Sequence, residues 1–145
     1  MRKTVSLVLA ICGTLLLLLL FATGRLIYTH VYSQDFSDIA ETGPQSTITL
    51  TENDVEVPQT DDNQKNAIIH LLSEQTYTAY PHFIKPIQNK LTANRLTVTF
   101  QNGNSIGVNT DGYVFVNGKL RAIKSGDGRN LYHELFVLFY PTAKE

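Results

Sequence analysis

The chain has 145 residues, 12 Lys and Arg against 13 Asp and Glu, and a formal charge of −1. That length suits one domain, and a sequence pI near 6.4 argues against the clustered basic footprint that nucleic-acid binding needs. The single cysteine, Cys12, excludes an internal disulfide of the kind on which many small secreted animal domains depend.

The chain opens with MRKTVSLVLAICGTLLLLLLFATGR. Val5 to Thr23 carries no charge and holds the run Leu15 to Leu20. At about 1.5 Å per residue, about 19 helical residues span roughly 28 Å, the thickness of a bilayer core. Two readings stand for this segment. It is a single-pass signal-anchor covering 1–32, with Leu26, Ile27, Tyr28, Val31 and Tyr32 as an interfacial belt. Alternatively it is a signal peptide cleaved near Arg25, with Ala22 and Gly24 as the small residues. Arg2 and Lys3 favour a cytoplasmic N-terminus, and both readings put the remainder outside the cytoplasm. Cys12 lies inside the apolar core with Ile11 before it, so it does not fit a lipobox. No asparagine sits in an N-x-S/T pattern. The missing sequon and missing disulfide fit a bacterial envelope protein.

Charge is uneven beyond the anchor. Asp35 to Asp62 holds eight acidic residues and no Lys or Arg, whereas Asn63 to Glu145 holds nine basic and five acidic ones. Residues 33–45 read as an acidic linker, and a solvated tether is the plain account of that charge. An extracytoplasmic α+β domain is expected over 46–145.

Ser46 to Thr51 alternates and predicts a strand, which Val55 to Val57 extends or pairs with before Pro58. Asp61 as N-cap with Gln64 three residues later predicts a helix over about 62–76. Residues 77–94 contain Pro81 and Pro86 together with Tyr77, Tyr80, Phe83 and Ile87. They predict a packed irregular segment. Next, Leu96 to Gln101 alternates. Turns at Asn102-Gly103, Asp111-Gly112 and Asn117-Gly118 then divide strands around Ile106 to Val108, Tyr113 to Val116 and Leu120 to Ile123. The reading is an antiparallel meander of four to five strands. The apolar stretch Leu131 to Tyr140, capped by Asp127 and closed by Pro141, predicts a helix that covers one face of it beside the first helix.

The pattern DGYVFVNGKLRAI…LYHELFVLF resembles the C-terminal part of small membrane-tethered or secreted domains of unknown function from Gram-positive bacteria. It covers about a third of the chain. The resemblance implies an extracytoplasmic address and a fold, and it brings no active site with it.

His133-Glu134 lacks the second histidine of HExxH, because Val137 stands four residues on, and His30, His70 and His82 are scattered. Asp111 and Asp127 sit beside glycines and read as turn residues. There is no G-x-S-x-G and no P-loop. Ser125 to Gly128 reads as a flexible turn. No catalytic residue, cofactor or metal is therefore expected. The candidate interaction surface is Tyr77, Tyr80, His82, Phe83 and Lys85, since tyrosine offers contact area with a polar tip. The leading expectation is a non-enzymatic, membrane-anchored interaction module: an accessory, sensor or inhibitor of an envelope protein. Its partners are the lipid bilayer, through the N-terminal helix, and a protein of the envelope. The alternatives are a small secreted enzyme or ligand-binding protein acting on wall glycans or peptides, and a purely structural spacer.

Overall fold

A computed structural model describes residues 2–31, 33–40, 46–58, 61–81, 84–124 and 126–141. The chain forms two compact units, Met1–Tyr32 and Ser33–Glu145.

The first unit is one helix, α1 (Arg2–Val31). Its stretch Leu9–Ile27 is 19 residues long and none of it is buried. A polyleucine helix satisfies its own backbone, so its side chains alone decide its solvent. Nine large apolar side chains between Leu9 and Phe21 stand more than half exposed. This helix is long and apolar enough to cross a membrane or to serve as a signal sequence.

The second unit is α+β. Its strands are β1 (Gln34–Asp35), β2 (Ile48–Glu52), β3 (Val55–Val57), β4 (Thr76–Ala79), β5 (Arg95–Phe100), β6 (Ser105–Asn109), β7 (Val114–Val116) and β8 (Lys119–Ile123). Its helices are α2 (Phe36–Ile39), α3 (Asp62–Ser73), α4 (Gln88–Leu91) and α5 (Gly128–Phe139). The strands form one sheet in the order β1-β4-β8-β7-β6-β5-β2-β3, and every pairing is antiparallel.

The sheet thus has eight strands where the sequence reading expected four or five. Two of the added strands lie where local pattern is weakest. β1 has two residues, too few to alternate. β4 falls in the segment read as irregular, and it shortens α3, which ends at Ser73 rather than near residue 76. The expected linker differs as well. Residues 34–39 form β1 and α2, and Phe36, Ile39 and Ala40 are buried in the core. The apolar area of these three residues outweighs the acidic character of their surroundings. Residues 41–45 of that linker lie outside the described residues.

The turns account for the meander. Asn117 (φ 51°) and Gly118 (φ 73°) both lie in the left-handed region, as a two-residue turn with right-handed twist requires. Asn53 (φ 50°) and Asp54 (φ 66°) do the same between β2 and β3.

Register assigns the faces. Leu50, Val98, Ile106 and Val116 face each other across four strands, and Leu96, Val108 and Val114 form the next row. Those residues join Ile68 and Leu72 of α3 and Leu131, Leu135 and Phe139 of α5 in one buried cluster. α3 and α5 therefore cover this face. Asp61 caps α3 through the Gln64 amide at 2.7 Å. The Gln64 side chain, 7 % exposed, donates its Nε2 to the Leu138 carbonyl at 2.8 Å, which ties the start of α3 to the end of α5. The other end of α5 is fixed by backbone contact. A Cβ on Gly128 would lie 2.0 Å from the Gly112 oxygen, so only glycine lets the helix start against that turn. α2 is held at the hairpin end of the sheet, where Asn102 and Asn104 both donate to the Ile39 carbonyl at 2.9 and 2.8 Å.

Candidate interaction surface

The opposite face carries Thr49, Thr51, Thr97, Thr99, Ser105, Gly107 and Phe115. β4 and β5 lie four places apart in the sheet, and the described residues of the connection between them, 80–81 and 84–94, lie over this face. The Tyr80 ring packs against that of Tyr113 at 6.2 Å. The Ile87 amide donates to the Tyr113 hydroxyl at 3.3 Å. Asn109, fully buried, donates to the Lys90 carbonyl at 2.7 Å, and the Lys90 ammonium lies 3.2 Å from Asp111. Pro81 and Pro86 interrupt regular structure in the strap ahead of the single turn α4, while Tyr113, Asn109 and Asp111 pin it.

The strap presents apolar surface. Ile84 is 47 % exposed and Ile87 is 54 % exposed, with exposed Lys85 between them and half-buried Tyr80 beside them. Of the five residues singled out from the sequence, Tyr80 and Lys85 lie on this strap. Tyr77 does not. It is 0 % exposed, its hydroxyl donates to the Leu72 carbonyl at 3.0 Å, and burial pushes that hydroxyl well above the usual tyrosine range. Strand alternation turns Tyr77 toward the helices, so it belongs to the core and not to a surface. His82 and Phe83 lie outside the described residues. Sequence reasoning missed Ile84, because a lone isoleucine in a loop carries no pattern, whereas Tyr113 is among the tyrosines that read as an aromatic edge.

The same face carries a charge on a ring. Arg95 of β5 reaches across Gly107 of β6 to set its guanidinium 5.2 Å from the centroid of Phe115 on β7. Phe115 is only 8 % exposed as a result of this cover and of the neighbouring strands.

On the helix face, Leu71, His133, Glu134, Val137 and Leu138 line an open apolar groove of about 330 Å³. His70 lies 3.6 Å from Glu74 one turn along α3. Asp127 caps α5 through the Arg129 amide at 3.0 Å, the role its turn position suggested. Among the described residues no three His, Cys, Asp or Glu side chains come together as a metal site would need.

No protein-family model, no curated protein and no solved structure matches this chain.

Proposed function

We propose that this chain is a membrane-tethered interaction module, with the residues from Ser33 onward held outside the cytoplasm by α1 and with the strap 80–94 as the surface offered to a protein partner of the envelope. The observation that carries it is the pairing of a bare apolar helix, Leu9–Ile27, with a separately folded unit that exposes Ile84 and Ile87 on a pinned, proline-containing strap. An exposed leucine-rich cylinder is stable in lipid and costly in water. Exposed isoleucines beside a tyrosine and a lysine have the mixed character of an interface centre and its rim.

Arg2 and Lys3 support a cytoplasmic N-terminus. The working mode is binding without chemistry: the tether raises the effective concentration of the module at the membrane, so a modest surface suffices for a partner confined there.

The test is site-specific photocrosslinking from positions 84 and 87 in cells. The expected outcome is a discrete crosslinked band in the membrane fraction from each position, with the band from position 84 lost when Tyr80 and Ile87 are both changed to Asp. Capture only from control positions on the threonine face, such as 49 and 99, rules the strap out.

A further inference from the structure

Glu52 closes β2 on the helix-covered face of the sheet, directly opposite Val55 of β3. Val55 is 69 % exposed, so this corner opens to solvent. The Tyr140 hydroxyl donates to Glu52 Oε2 at 2.5 Å. Tyr140 is the C-cap of α5, and three rings climb that side of the helix. Tyr132 and Phe136 lie 6.2 Å apart, and Phe136 and Tyr140 lie 5.0 Å apart. All three rings and the carboxylate are half-buried.

The electrostatics are one-sided. A helix C-terminus collects negative partial charge and favours cations, yet the last turn of α5 holds no basic residue and its cap leads to a carboxylate instead. Among the described residues no Lys, Arg or His nitrogen lies within 4.0 Å of Glu52. The Tyr140 hydroxyl is held up to about 12 by its bond to Glu52 and then by burial, so it stays a neutral donor.

We propose that the corner formed by Glu52, Tyr140, Tyr132, Phe136 and Val55 binds a primary alkylammonium group. The carboxylate accepts a charge-assisted hydrogen bond from the ammonium. The aromatic faces add attraction for the cation, and Val55 and Phe136 cover the aliphatic stem. A half-buried carboxylate beside a helix C-terminus gains from such a counter-ion both as charge partner and as cover. The proposal is independent of whether α1 is retained.

The experiment uses the full chain in uncharged maltoside micelles, with ring signals of labelled Tyr and Phe followed by NMR. The probes are n-butylammonium, tetramethylammonium and n-butanol. The expected result is saturable shifts of Tyr132, Phe136 and Tyr140 with n-butylammonium, weaker ones with tetramethylammonium, which has no N–H, and none with n-butanol. Glu52→Gln weakens n-butylammonium binding about tenfold or more, the equivalent of one charge-assisted bond. Tyr140→Phe keeps the carboxylate and removes its internal donor, so binding is retained or tightened. N-acetyl-lysine-N-methylamide and ethanolamine separate the sources: preference for the first places the group on a peptide side chain, preference for the second on a small amine, and either supports the site. Equal shifts from n-butanol, unchanged affinity in Glu52→Gln, or lost binding in a folded Tyr140→Phe variant overturns it.

Discussion

The Arg95 guanidinium stands 5.2 Å from the Phe115 ring centroid because the residue between them is Gly107. A Cβ at Gly107 would lie 3.1 Å from Arg95 Cδ and 3.1 Å from Thr97 Oγ1. The glycine thus opens the path along which the arginine stem crosses β6. In a double-mutant cycle with Arg95→Ala and Phe115→Leu, the coupling is expected at about 0.5–1 kcal/mol, the range for a cation that stays partly solvated, as the Arg95 side chain does at 34 % exposure. Repeating the cycle on a Gly107→Val background, read by urea unfolding, is expected to bring the coupling close to zero. The Arg95–Asp54 contact, 3.8 Å with Asp54 largely exposed, contributes little to this.

Gln64 joins the two covering helices. Its buried side chain donates to the carbonyl of Leu138 at 2.8 Å and more weakly to that of Phe139 at 3.4 Å. Gln64→Ala leaves those carbonyls without that donor and is expected to cost about 1–3 kcal/mol. Gln64→Glu is expected to cost more, since it sets a carboxylate against the C-terminal carbonyls of α5. Chemical denaturation of both variants measures the difference.

Alkaline pH separates the tyrosines. Burial raises Tyr77, and the Glu52 hydrogen bond holds Tyr140 up to about 12. For a tyrosine whose folded pKa lies above its unfolded value near 10, the stabilisation is complete below pH 10. It is lost as the pH climbs through the folded value. Spectrophotometric titration is expected to show a late group of tyrosines, Tyr77 and Tyr140 among them, that ionises well above the ordinary tyrosine range. Tyr140→Phe removes one member of the late group.

These relationships show what the sequence discloses and what it withholds. Asn102-Gly103, Asp111-Gly112 and Asn117-Gly118 are legible because a turn needs positive φ at particular positions, and that need selects residue types. The α5 helix is legible because Leu131, Leu135 and Phe139 recur at helical spacing. β1 is not legible: Gln34 and Asp35 become a strand only because Tyr77 and Thr76 are there to pair with them. α2 reads as tether because its acidic neighbours mask Phe36 and Ile39. The strap is half legible. Its prolines and aromatic residues mark it as packed, but Tyr77 turns inward, a fact fixed by the register of β4 on β8 and not by composition. Glu52 and Tyr140 lie 88 positions apart, and no local pattern links them.

Surface and core substitutions on the second unit are expected to divide cleanly. Ile84→Asp and Ile87→Asp, both at exposed positions, are expected to leave stability within about 0.5 kcal/mol while removing crosslinking to the partner. Leu135→Ala, at 0 % exposure, is expected to cost about 2–5 kcal/mol and to lose partner capture only in proportion to unfolding. Thermal melts run beside the crosslinking assay distinguish the two classes.

The most direct measurement on the tethered-module account is the intact mass of the native protein together with its partition after a high-salt wash of membranes. The expected result is a mass that includes Leu9–Ile27 and a protein that stays with the membranes. A mass beginning near Arg25, with the protein in the medium, contradicts it and moves the search for a partner to soluble ligands and wall substrates.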